Sequence, residues 1–369
     1  MSGLYLHIPF CKSKCAYCNF FSVVSEKNRA DFIEALKREA VDRKDYLGGE
    51  DVRTIYFGGG TPSLLSPSEI AGILDVLRKN YTIIENPEIT LEANPDTVSK
   101  QSLQDYKSIG INRLSIGIQS FFDDDLQYLS RKHDSHHARQ VLEWAQEVGF
   151  DEITMDFIYG IPTLTDEKWR KNLEIFFATG INHLSAYSLT VEENSIIGKR
   201  IDKGQLASVD EDMAVRHYET LVELTAEHGF EHYEISNFAR PGHQSKHNSI
   251  YWKGVKYLGL GPSAHSFDGL SRQWNVASVK DYCENYSFEK EVLTLDDRFN
   301  EYVMTSLRTN WGCDLEFIRQ NFGQNYADVF EKVAKSHLES GKMFKKGNHF
   351  ILNDRGMLFA DGIASEIFF

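Results

Sequence analysis

The sequence lacks any run of about 18 apolar residues, which is the length that a helix needs to span a membrane. Its first residues, MSGLYLHIPFCKSKC, contain no basic flank followed by a long apolar stretch, so no signal peptide is evident. From these two absences we expect a cytoplasmic protein without a transmembrane segment. Neither absence excludes transient association with a membrane surface.

Basic residues and cysteines are also scarce. The chain has 40 lysines and arginines against 54 aspartates and glutamates, which gives a formal net charge of −14. Because nucleic acid repels an acidic chain, we expect no nucleic-acid partner.

The five cysteines are an odd number. Without an export signal, metal or redox chemistry is a better interpretation of these thiols than disulfides.

Short apolar runs alternate with longer amphipathic stretches through the first half of the chain. Such alternation predicts strands of a parallel sheet covered by helices. We therefore predict an α/β fold, a partial (β/α)6 TIM-like barrel. The six predicted strands are LYLHI (4–8), RTIYF (53–57), EITLE (88–92), RLSIGI (113–118), EITMDFI (152–158) and HLSAYSL (183–189). The predicted helices between them include 29–47, 67–81, 136–149 and 166–180.

The pattern changes after the sixth strand. Residues 205–228 predict one more helix, whereas 238–282 is rich in Gly, His and aromatic residues and has no simple period. From about 294 the chain is helical again, and KMFKKGNHFILNDRG predicts a hairpin that turns at 346–348.

We predict three parts from these changes. Residues 1–237 form the partial barrel, 238–293 a connecting region, and 294–369 a small C-terminal helical, winged-helix-like domain. The acidic surroundings of the last part favour a lid or docking module over a DNA-binding role.

Three of the five cysteines stand in CKSKCAYCNF (11–20), directly after the first strand. Cys11, Cys15 and Cys18 have the spacing C-x3-C-x2-C, whereas a zinc site usually adds a second pair of ligands downstream. His7 is a conceivable fourth ligand, but it lies inside the strand. Three thiolates leave one iron of a [4Fe–4S] cluster open to an exogenous ligand, so we predict such a cluster here.

Polar residues stand at or near the ends of the next strands. GGGTP (58–62) follows the second, and its glycines let backbone approach a ligand closely. Glu92 ends the third strand, Gln119 follows the fourth, and Asp156 lies in the fifth. A buried carboxylate is costly unless it is paired or bound to a ligand. A structural salt bridge could account for Glu92 or Asp156 taken alone. Polar residues at several successive strands favour a ligand site instead.

This arrangement resembles the radical S-adenosylmethionine (SAM) superfamily, in which a cysteine loop follows the first strand and a glycine motif the second. The resemblance implies a [4Fe–4S] cluster on the three cysteines with SAM on the open iron. Electron transfer from such a cluster cleaves SAM to a 5′-deoxyadenosyl radical, which abstracts hydrogen from unreactive C–H bonds. The resemblance implies that the residues around cluster and SAM are Tyr5, Gly58, Gly59, Gly60, Thr61, Glu92, Gln119, Arg131, Asp156 and Thr190.

Individual roles follow from the same resemblance. Arg131 is implied to pair with the SAM carboxylate, and Gln119 and Asp156 with the ribose hydroxyls. Glu92 is implied to line the SAM pocket, and Thr190 to lie near the adenosine.

Within the superfamily, the chain resembles the oxygen-independent coproporphyrinogen III oxidase-like family over nearly its whole length. The shared motifs are LYLHIPFCKSKCAYCNF, IYFGGGTPSLL, LEANPDT, RLSIGIQSF, MDFIYGIP and GLGPSAHSF. The true oxidases have C-x3-C-x2-C-x-C and an N-terminal extension, whereas this chain has Phe20 at the last cysteine position and ten residues before Cys11. The haem chaperones of the HemW type have Phe there and a later H-N-x-x-Y-W motif, which HNSIYW (247–252) matches.

That branch implies a chaperone that binds haem and delivers it to acceptor haemoproteins such as respiratory cytochromes, with an electron donor for the cluster. His247 in HNSIYW is the candidate haem-binding residue, since imidazole is a common axial ligand of haem iron. His243 and His265 stay open as alternatives. Cys283 and Cys313 are interpreted as ordinary thiols, although haem attachment at either stays open.

Three other functions are compatible with parts of the sequence. One is a coproporphyrinogen dehydrogenase or another radical SAM enzyme acting on a tetrapyrrole, which Phe20 disfavours. A second is a nucleotide-dependent oxidoreductase, because GLGPSA (259–264) matches G-x-G-x-x-A, a weak signal alone. The third is a scaffold with a degenerate cluster. Whether SAM is cleaved in the working cycle stays open, and so does the classification as an enzyme.

Overall fold

The computed structural model describes residues 2–192 and 195–369, and within these ranges it has one sheet of 12 strands and one of three. The large sheet contains β1 (Ser2–Ile8), β2 (Val52–Gly59), β3 (Ile83–Ala93), β4 (Arg113–Gln119), β5 (Glu152–Tyr159), β6 (His183–Ser188), β7 (Glu231–Glu234), β8 (Asn237–Ala239), β9 (Tyr257–Leu260), β10 (His265–Phe267), β11 (Ser271–Asn275) and β12 (Phe288–Val292). The small sheet contains β13 (Cys313–Asp314), β14 (Met343–Lys346) and β15 (His349–Leu352).

Helices connect and cover these strands. They are α1 (Arg29–Asp42), α2 (Pro67–Asn80), α3 (Lys100–Ser108), α4 (Asp123–Tyr128), α5 (Ser135–Glu147), α6 (Asp166–Thr179), α7 (Ile196–Asp202), α8 (Glu211–Glu227), α9 (Lys246–Trp252), α10 (Val279–Asn285), α11 (Leu295–Leu307), α12 (Leu315–Asn321), α13 (Gln324–Glu339), α14 (Asp354–Met357) and α15 (Ala360–Ser365). In the described part of the chain, no helix combines the length and apolarity needed to cross a membrane.

The six predicted strands are confirmed. β1 to β6 are parallel neighbours in chain order, with a helix between each consecutive pair. Their residues are largely buried, and in β4 all seven are, because helices cover such a sheet on its faces. The strands do not close on themselves: β9 pairs in parallel with the free edge of β1, and β8 pairs antiparallel with β6. The α/β prediction with an open, partial barrel is therefore confirmed.

The helix predicted over 205–228 is wrong at its start, because α8 begins at Glu211. The side chain of Asp210 accepts a hydrogen bond from the backbone N–H of Met213, which caps the helix at that point. Similarly, α1 ends at Asp42 rather than 47.

The region after α8 adds strands that the sequence pattern did not predict. β8 to β12 extend the large sheet at both of its edges, and each has only three to five residues. Beyond them, β15 lies between β13 and β14, and the hairpin turns at Gly347 with a φ of 61°, as the sequence predicts. The division at 237 and 293 stays a prediction; of its first part, residues 1, 193 and 194 lie outside the described residues.

The motif GLGPSA lies at the end of β9 and is followed by β10, not by a helix. It therefore does not form the strand–turn–helix unit of a dinucleotide site. Its glycines permit close packing instead. A Cβ on Gly259 would lie 2.1 Å from the carbonyl oxygen of His265, and one on Gly261 would lie 2.5 Å from that of His7.

A buried carboxylate on α1 holds this region against the first half of the chain. Glu39 is fully buried and accepts hydrogen bonds from the backbone of Gly261 (2.9 Å), the hydroxyl of Tyr282 (2.6 Å) and the amide of Asn275 (2.7 Å). It also pairs with buried Arg43 at 3.2 Å. Every partner contributes to compensating the desolvation of the carboxylate.

We expect Glu39→Ala to lower the free energy of unfolding by about 3–5 kcal/mol, because it leaves the Arg43 charge and three donors buried without their acceptor. Urea unfolding followed by tryptophan fluorescence measures the change. Glu34→Ala on the same helix is the control, since that side chain is 65% exposed and its pair with Lys37 is worth about 0–1 kcal/mol. Equal destabilisation by both substitutions would contradict this account.

Candidate active site

A cavity of about 540 Å³ opens at the C-terminal ends of β1 to β6. We call it the cysteine cavity. The predicted residues that line it are Cys11, Cys15, Cys18, Gly59, Gly60, Thr61, Glu92, Gln119, Arg131, Asp156 and Thr190. Tyr5, Gly58 and His247 lie outside this lining. Residues from six strands or the loops after them thus meet in one place, because parallel strands end at the same edge of a sheet.

The loop that carries the cysteines is closed at its base. The backbone of Phe10 forms a bridge with Val23, and the N–H of Cys11 donates to the Val23 carbonyl at 3.0 Å. Below the loop, Nε2 of His7 contacts the carbonyl of Phe21 at 2.8 Å, and Nδ1 contacts the hydroxyl of Tyr5 at 3.2 Å. Both ring nitrogens of His7 are therefore engaged, so in this arrangement it supports the loop and is not a fourth ligand.

The three thiols fit a cluster better than a single ion. All three cysteines are free, and they line the same cavity. Within residues 2–192 and 195–369, no three His, Cys, Asp or Glu side chains converge closely enough to hold one metal ion. A [4Fe–4S] cluster needs no such convergence, since each cysteine binds a different iron. Burial raises the pKa of Cys11 and of Cys18, so ligation of a cationic centre would have to displace their protons.

A closed series of hydrogen bonds joins the cysteine loop to the neighbouring strands. The hydroxyl of Thr61 donates to Sγ of Cys11 at 3.5 Å and accepts from the amide of Asn94 at 3.1 Å. The oxygen of Asn94 accepts from Nη2 of Arg131 at 2.7 Å. Nη1 of Arg131 then contacts Sγ of Cys15 at 3.5 Å. The guanidinium thus lies beside the thiols, where a ligand carboxylate could reach it.

The glycine motif approaches the first strand too closely for side chains. The N–H of Gly60 donates to the carbonyl of Ile8 at 2.8 Å, and a Cβ on Gly60 would lie 2.7 Å from the carbonyl oxygen of Phe10. Gly59 has a φ of 107°, a conformation that favours glycine. Gly58 lies below, where a Cβ would be 2.9 Å from the ring of Tyr5.

Two carboxylates in the cavity have raised pKa values. Burial raises the pKa of Glu92 to about 6, although it accepts hydrogen bonds from Tyr56 (2.8 Å) and from the backbone of Gly59 (3.1 Å). Burial, together with the charge of Glu92, raises the pKa of Asp156 to about 7. The hydroxyl of Ser115 lies 3.1 Å from both oxygens of Asp156. Such perturbed carboxylates in a cavity are typical of ligand sites.

Gln119 ends β4 in a strained conformation, with a φ of 67°. Its amide is accommodated by Gly117, where a Cβ would lie 2.8 Å from Nε2 of Gln119. Backbone strain of this kind persists where surrounding contacts hold it, and it is concentrated at functional sites. At the opposite side of the cavity, Thr190 is exposed and its hydroxyl lies 3.5 Å from the carbonyl of Ser188.

The sequence interpretation missed two residues of this site. Asn94, in the quoted motif EANP, joins Thr61 to Arg131, and Tyr17, inside the cysteine loop, lies 3.5 Å from Nη1 of Arg131. Their proximity to the predicted residues was the available signal. The direction of an amide or phenol side chain is not encoded in a spacing.

His247 lies on α9, outside the cysteine cavity and almost fully buried. Nδ1 contacts the hydroxyl of Thr54 at 2.8 Å, and Nε2 contacts that of Tyr251 at 2.9 Å. Burial lowers its pKa to about 3, so the ring is neutral. Binding iron through either nitrogen would require one of these hydrogen bonds to break. His243 pairs with Glu152 at 2.9 Å, and His265 is exposed beside Trp274.

Comparison with known families agrees with this architecture. Residues 5–176 match the Radical SAM superfamily, and residues 293–359 match the HemN C-terminal domain. The curated heme chaperone HemW of Bacillus subtilis is 31% identical over 98% of this chain and 98% of its own length. The mitochondrial radical S-adenosyl methionine domain-containing protein 1 of Danio rerio is 36% identical over 96% of this chain and 83% of its own length.

Among solved structures, coproporphyrinogen III oxidase (HemN) from Escherichia coli, a radical SAM enzyme, has the same fold. It superposes with a TM-score of 0.85, covering 99% of this chain and 89% of its own, at 24% identity. The two family models, the HemW relatives and this fold together confirm the predicted resemblance to the coproporphyrinogen oxidase-like family.

The raised pKa of Asp156 predicts a pH dependence of stability for the cluster-free protein. In the unfolded chain this carboxyl ionises near pH 4, whereas in the folded protein it keeps its proton up to about pH 7. Its contribution to stability is therefore present at low pH and lost as pH rises through 7. Between pH 5 and 8 we expect the melting temperature to fall less steeply for Asp156→Asn than for the wild type. Asp75→Asn, exposed on α2, should keep the wild-type slope, and an unchanged slope for Asp156→Asn would contradict the raised pKa.

Proposed function

Because the chain belongs to the HemW-type family within the radical SAM superfamily, we propose that it is a cytoplasmic haem chaperone. It binds haem and a [4Fe–4S] cluster with SAM, and it delivers the haem to acceptor haemoproteins such as respiratory cytochromes. A reductase or another electron donor would supply the cluster with electrons. The curated HemW relatives, which cover nearly this whole chain, support the proposal by their name.

The cysteine cavity supplies suitable groups for the cluster and SAM. Cys11, Cys15 and Cys18 would hold three irons, and the fourth would take the amino and carboxylate groups of SAM. Bound in this way, the cluster supplies an electron for SAM cleavage. Arg131, whose Nη1 lies 3.5 Å from Sγ of Cys15, would neutralise the SAM carboxylate, and the backbone of the glycine motif would accept hydrogen bonds from the amino group. These roles rest on the family resemblance and on the shared lining of one cavity.

The carboxylates and amide at the far side of the cavity suit the sugar of SAM. Asp156, Glu92 and Gln119 line the same cavity and would offer hydrogen-bond acceptors to the ribose hydroxyls. Thr190, in the same lining, would lie near the adenosine. Tyr5 and Gly58 would act from below the cavity, by supporting the loop and the glycine motif rather than by contact.

The observation that carries the chaperone function is the residue at position 20. Phe20 lines the mouth of the cysteine cavity with 66% of its surface exposed, at the position of a fourth cysteine in the oxidases. A phenylalanine has no thiol to take part in substrate oxidation. An exposed aromatic side chain at a cavity mouth is instead suited to contact with a flat apolar partner.

We propose that His247 contributes to the haem-binding region by holding the side chain of Tyr251 in place. The hydrogen bond between the two rings fixes the tyrosine, whose other neighbour is Tyr257, with ring centroids 4.7 Å apart. Loss of the imidazole would therefore release an aromatic residue of HNSIYW.

The cluster assignment predicts that Cys11→Ala, Cys15→Ala and Cys18→Ala each abolish the visible iron–sulfur absorbance after anaerobic reconstitution. Each removes one of three protein ligands, and the remaining two cannot retain the cluster. Cys283→Ala is the control, because this half-buried thiol lies outside the cavity and should retain full iron content. Unchanged iron in the three variants would refute the assignment.

The chaperone function predicts saturable haem binding, one haem per chain, measured through the Soret band of the reconstituted protein under anaerobic conditions. Excess coproporphyrinogen should not displace the haem. His247→Ala should weaken binding several-fold because Tyr251 loses its partner, whereas His136→Ala on the exposed surface of α5 should not. Without saturable binding by the wild type, the chaperone function fails, and displacement by coproporphyrinogen would favour radical chemistry on that tetrapyrrole.

A further inference from the structure

Gln119 stands at an irregular point of β4. Up to Gly117, which lies opposite Asp156, the pairing with β5 is regular, but Gln119 then lies opposite Phe157. Two residues of β4 thus advance against one of β5, which is the form of a β-bulge, and bulges near active sites re-aim a side chain. With its φ of 67°, Gln119 also has a conformation that is unfavourable for any residue with a Cβ. Contacts outside the strand therefore have to hold it.

The hydroxyl of the next residue, Ser120, is saturated with hydrogen bonds and fully buried. It donates to Oδ2 of Asp125 at 2.8 Å, and it accepts from Nδ2 of Asn172 at 3.1 Å and from the backbone N–H of Phe122 at 3.2 Å. Oδ1 of Asn172 in turn accepts from the N–H of Phe121 at 2.8 Å. We call Ser120, Asp125 and Asn172 the serine clamp, because together they fix the backbone directly after Gln119.

Asp125 connects the serine clamp to the next strand. It is fully buried, and its Oδ1 accepts from the hydroxyl of Thr163 at 2.6 Å. Thr163 lies in the loop after β5, the strand that carries Asp156. Nζ of Lys168, on α6, is 3.6 Å from the same oxygen. These partners offset the cost of burying the carboxylate, and they tie the end of β4 to the loop after β5.

The backbone before Gln119 is held as well. Nη2 of Arg131 donates to the carbonyl of Gly117 at 2.7 Å. Nε2 of His133 lies 3.1 Å from the carbonyl of Ile118, and since a carbonyl can only accept, this nitrogen donates. Gln119 is therefore fixed from both sides, and two of the residues that fix it belong to the segment after α4 that also carries Arg131.

We propose that the serine clamp sets the position of Gln119 for the ribose of SAM, which makes Ser120 and Asp125 positioning residues of the cofactor site. This inference rests on the proposed function and deepens it. Neither residue lines the cysteine cavity, so neither would touch the cofactor. They act through Gln119, because an amide binds a ligand hydroxyl well only when its own backbone is already held in the productive position.

The test measures SAM binding to the cluster-reconstituted full-length protein by anaerobic equilibrium dialysis. We expect Ser120→Ala and Asp125→Asn each to weaken SAM about fivefold, the effect of losing about one net hydrogen bond. Ser271→Ala is one control, since this buried serine on β11 also donates to an aspartate, at 2.7 Å. Asp124→Asn is the other, because Asp124 pairs with Lys168 as Asp125 does but is exposed on α4. Both controls should bind SAM like the wild type.

A double-mutant cycle separates positioning from a general loss of structure. In the Gln119→Ala background, Ser120→Ala should change SAM affinity by less than about twofold, because no amide is left to misplace. Its effect on the melting temperature should persist, since the buried hydrogen bonds are lost in either background. Gln119→Gly should melt higher than Gln119→Ala, because glycine adopts a positive φ without strain. Iron–sulfur absorbance checks that every variant retains its cluster.

Each contrary result has a distinct meaning. Unchanged SAM affinity in both Ser120→Ala and Asp125→Asn would overturn the inference. So would an equal loss of affinity with and without the Gln119 side chain, because the clamp would then support the site as a whole. If Gln119→Ala melts as high as Gln119→Gly, there is no strained conformation for the clamp to hold.

Two further outcomes are distinguishable from these. If Ser120→Ala unfolds or loses its cluster, the same cycle is measured with Asp125→Asn, which retains one acceptor oxygen and decides the question in its place. If the wild type with its cluster binds no SAM saturably, the proposed cofactor site fails, and this inference fails with it.

Discussion

The candidate active site depends on one series of hydrogen bonds that leaves the cysteine loop and returns to it. Thr61, Asn94 and Arg131 come from three separate segments, and together they fix two of the thiols relative to the strand ends. A loop of this length is otherwise free to move, and a cluster requires its ligands to be held in place. The close packing of the glycine motif against β1 also holds the cysteine loop, because it places Thr61 next to Cys11.

Two cavities in the described part of the chain have different linings. The cysteine cavity is lined by carboxylates, amides and thiols, whereas a cavity of about 480 Å³ between the large sheet and the C-terminal helices, the aromatic cleft, is lined by Tyr251, Trp252, Trp311 and Phe317 among others. The cleft exists because β9 to β11 lie beside the C-terminal helices, and Glu39 holds those strands to α1. A single buried carboxylate thereby influences the position of the wall that β9 to β11 form.

Much of the fold could be predicted from the sequence. The six parallel strands were readable because short apolar runs alternate with longer amphipathic stretches, and the hairpin of the small sheet was readable from Lys-Gly-Asn between two short runs. Of the later strands, β9 was indicated as a possible short strand by KYLGL (256–260). The strands β7, β8 and β10 to β12 were not readable, because three to five residues carry too little periodicity and their pairing is decided by distant partners. The sequence pattern placed Glu92 at the end of the third strand and Asp156 within the fifth, but it could not show that His247 packs against Thr54, away from the cavity.

The pairing of β9 with β1 has a consequence for how the chain is made. Residues 3–6 form a ladder with 257–260, so one edge of the first strand has no partner until most of the polypeptide has been synthesised. An apolar strand with an open edge is a template for association with other chains. Long-range parallel pairing is also slow to form. In the nascent protein this edge of the first strand is therefore open to pairing with a neighbouring chain until the protein's own ninth strand has been made.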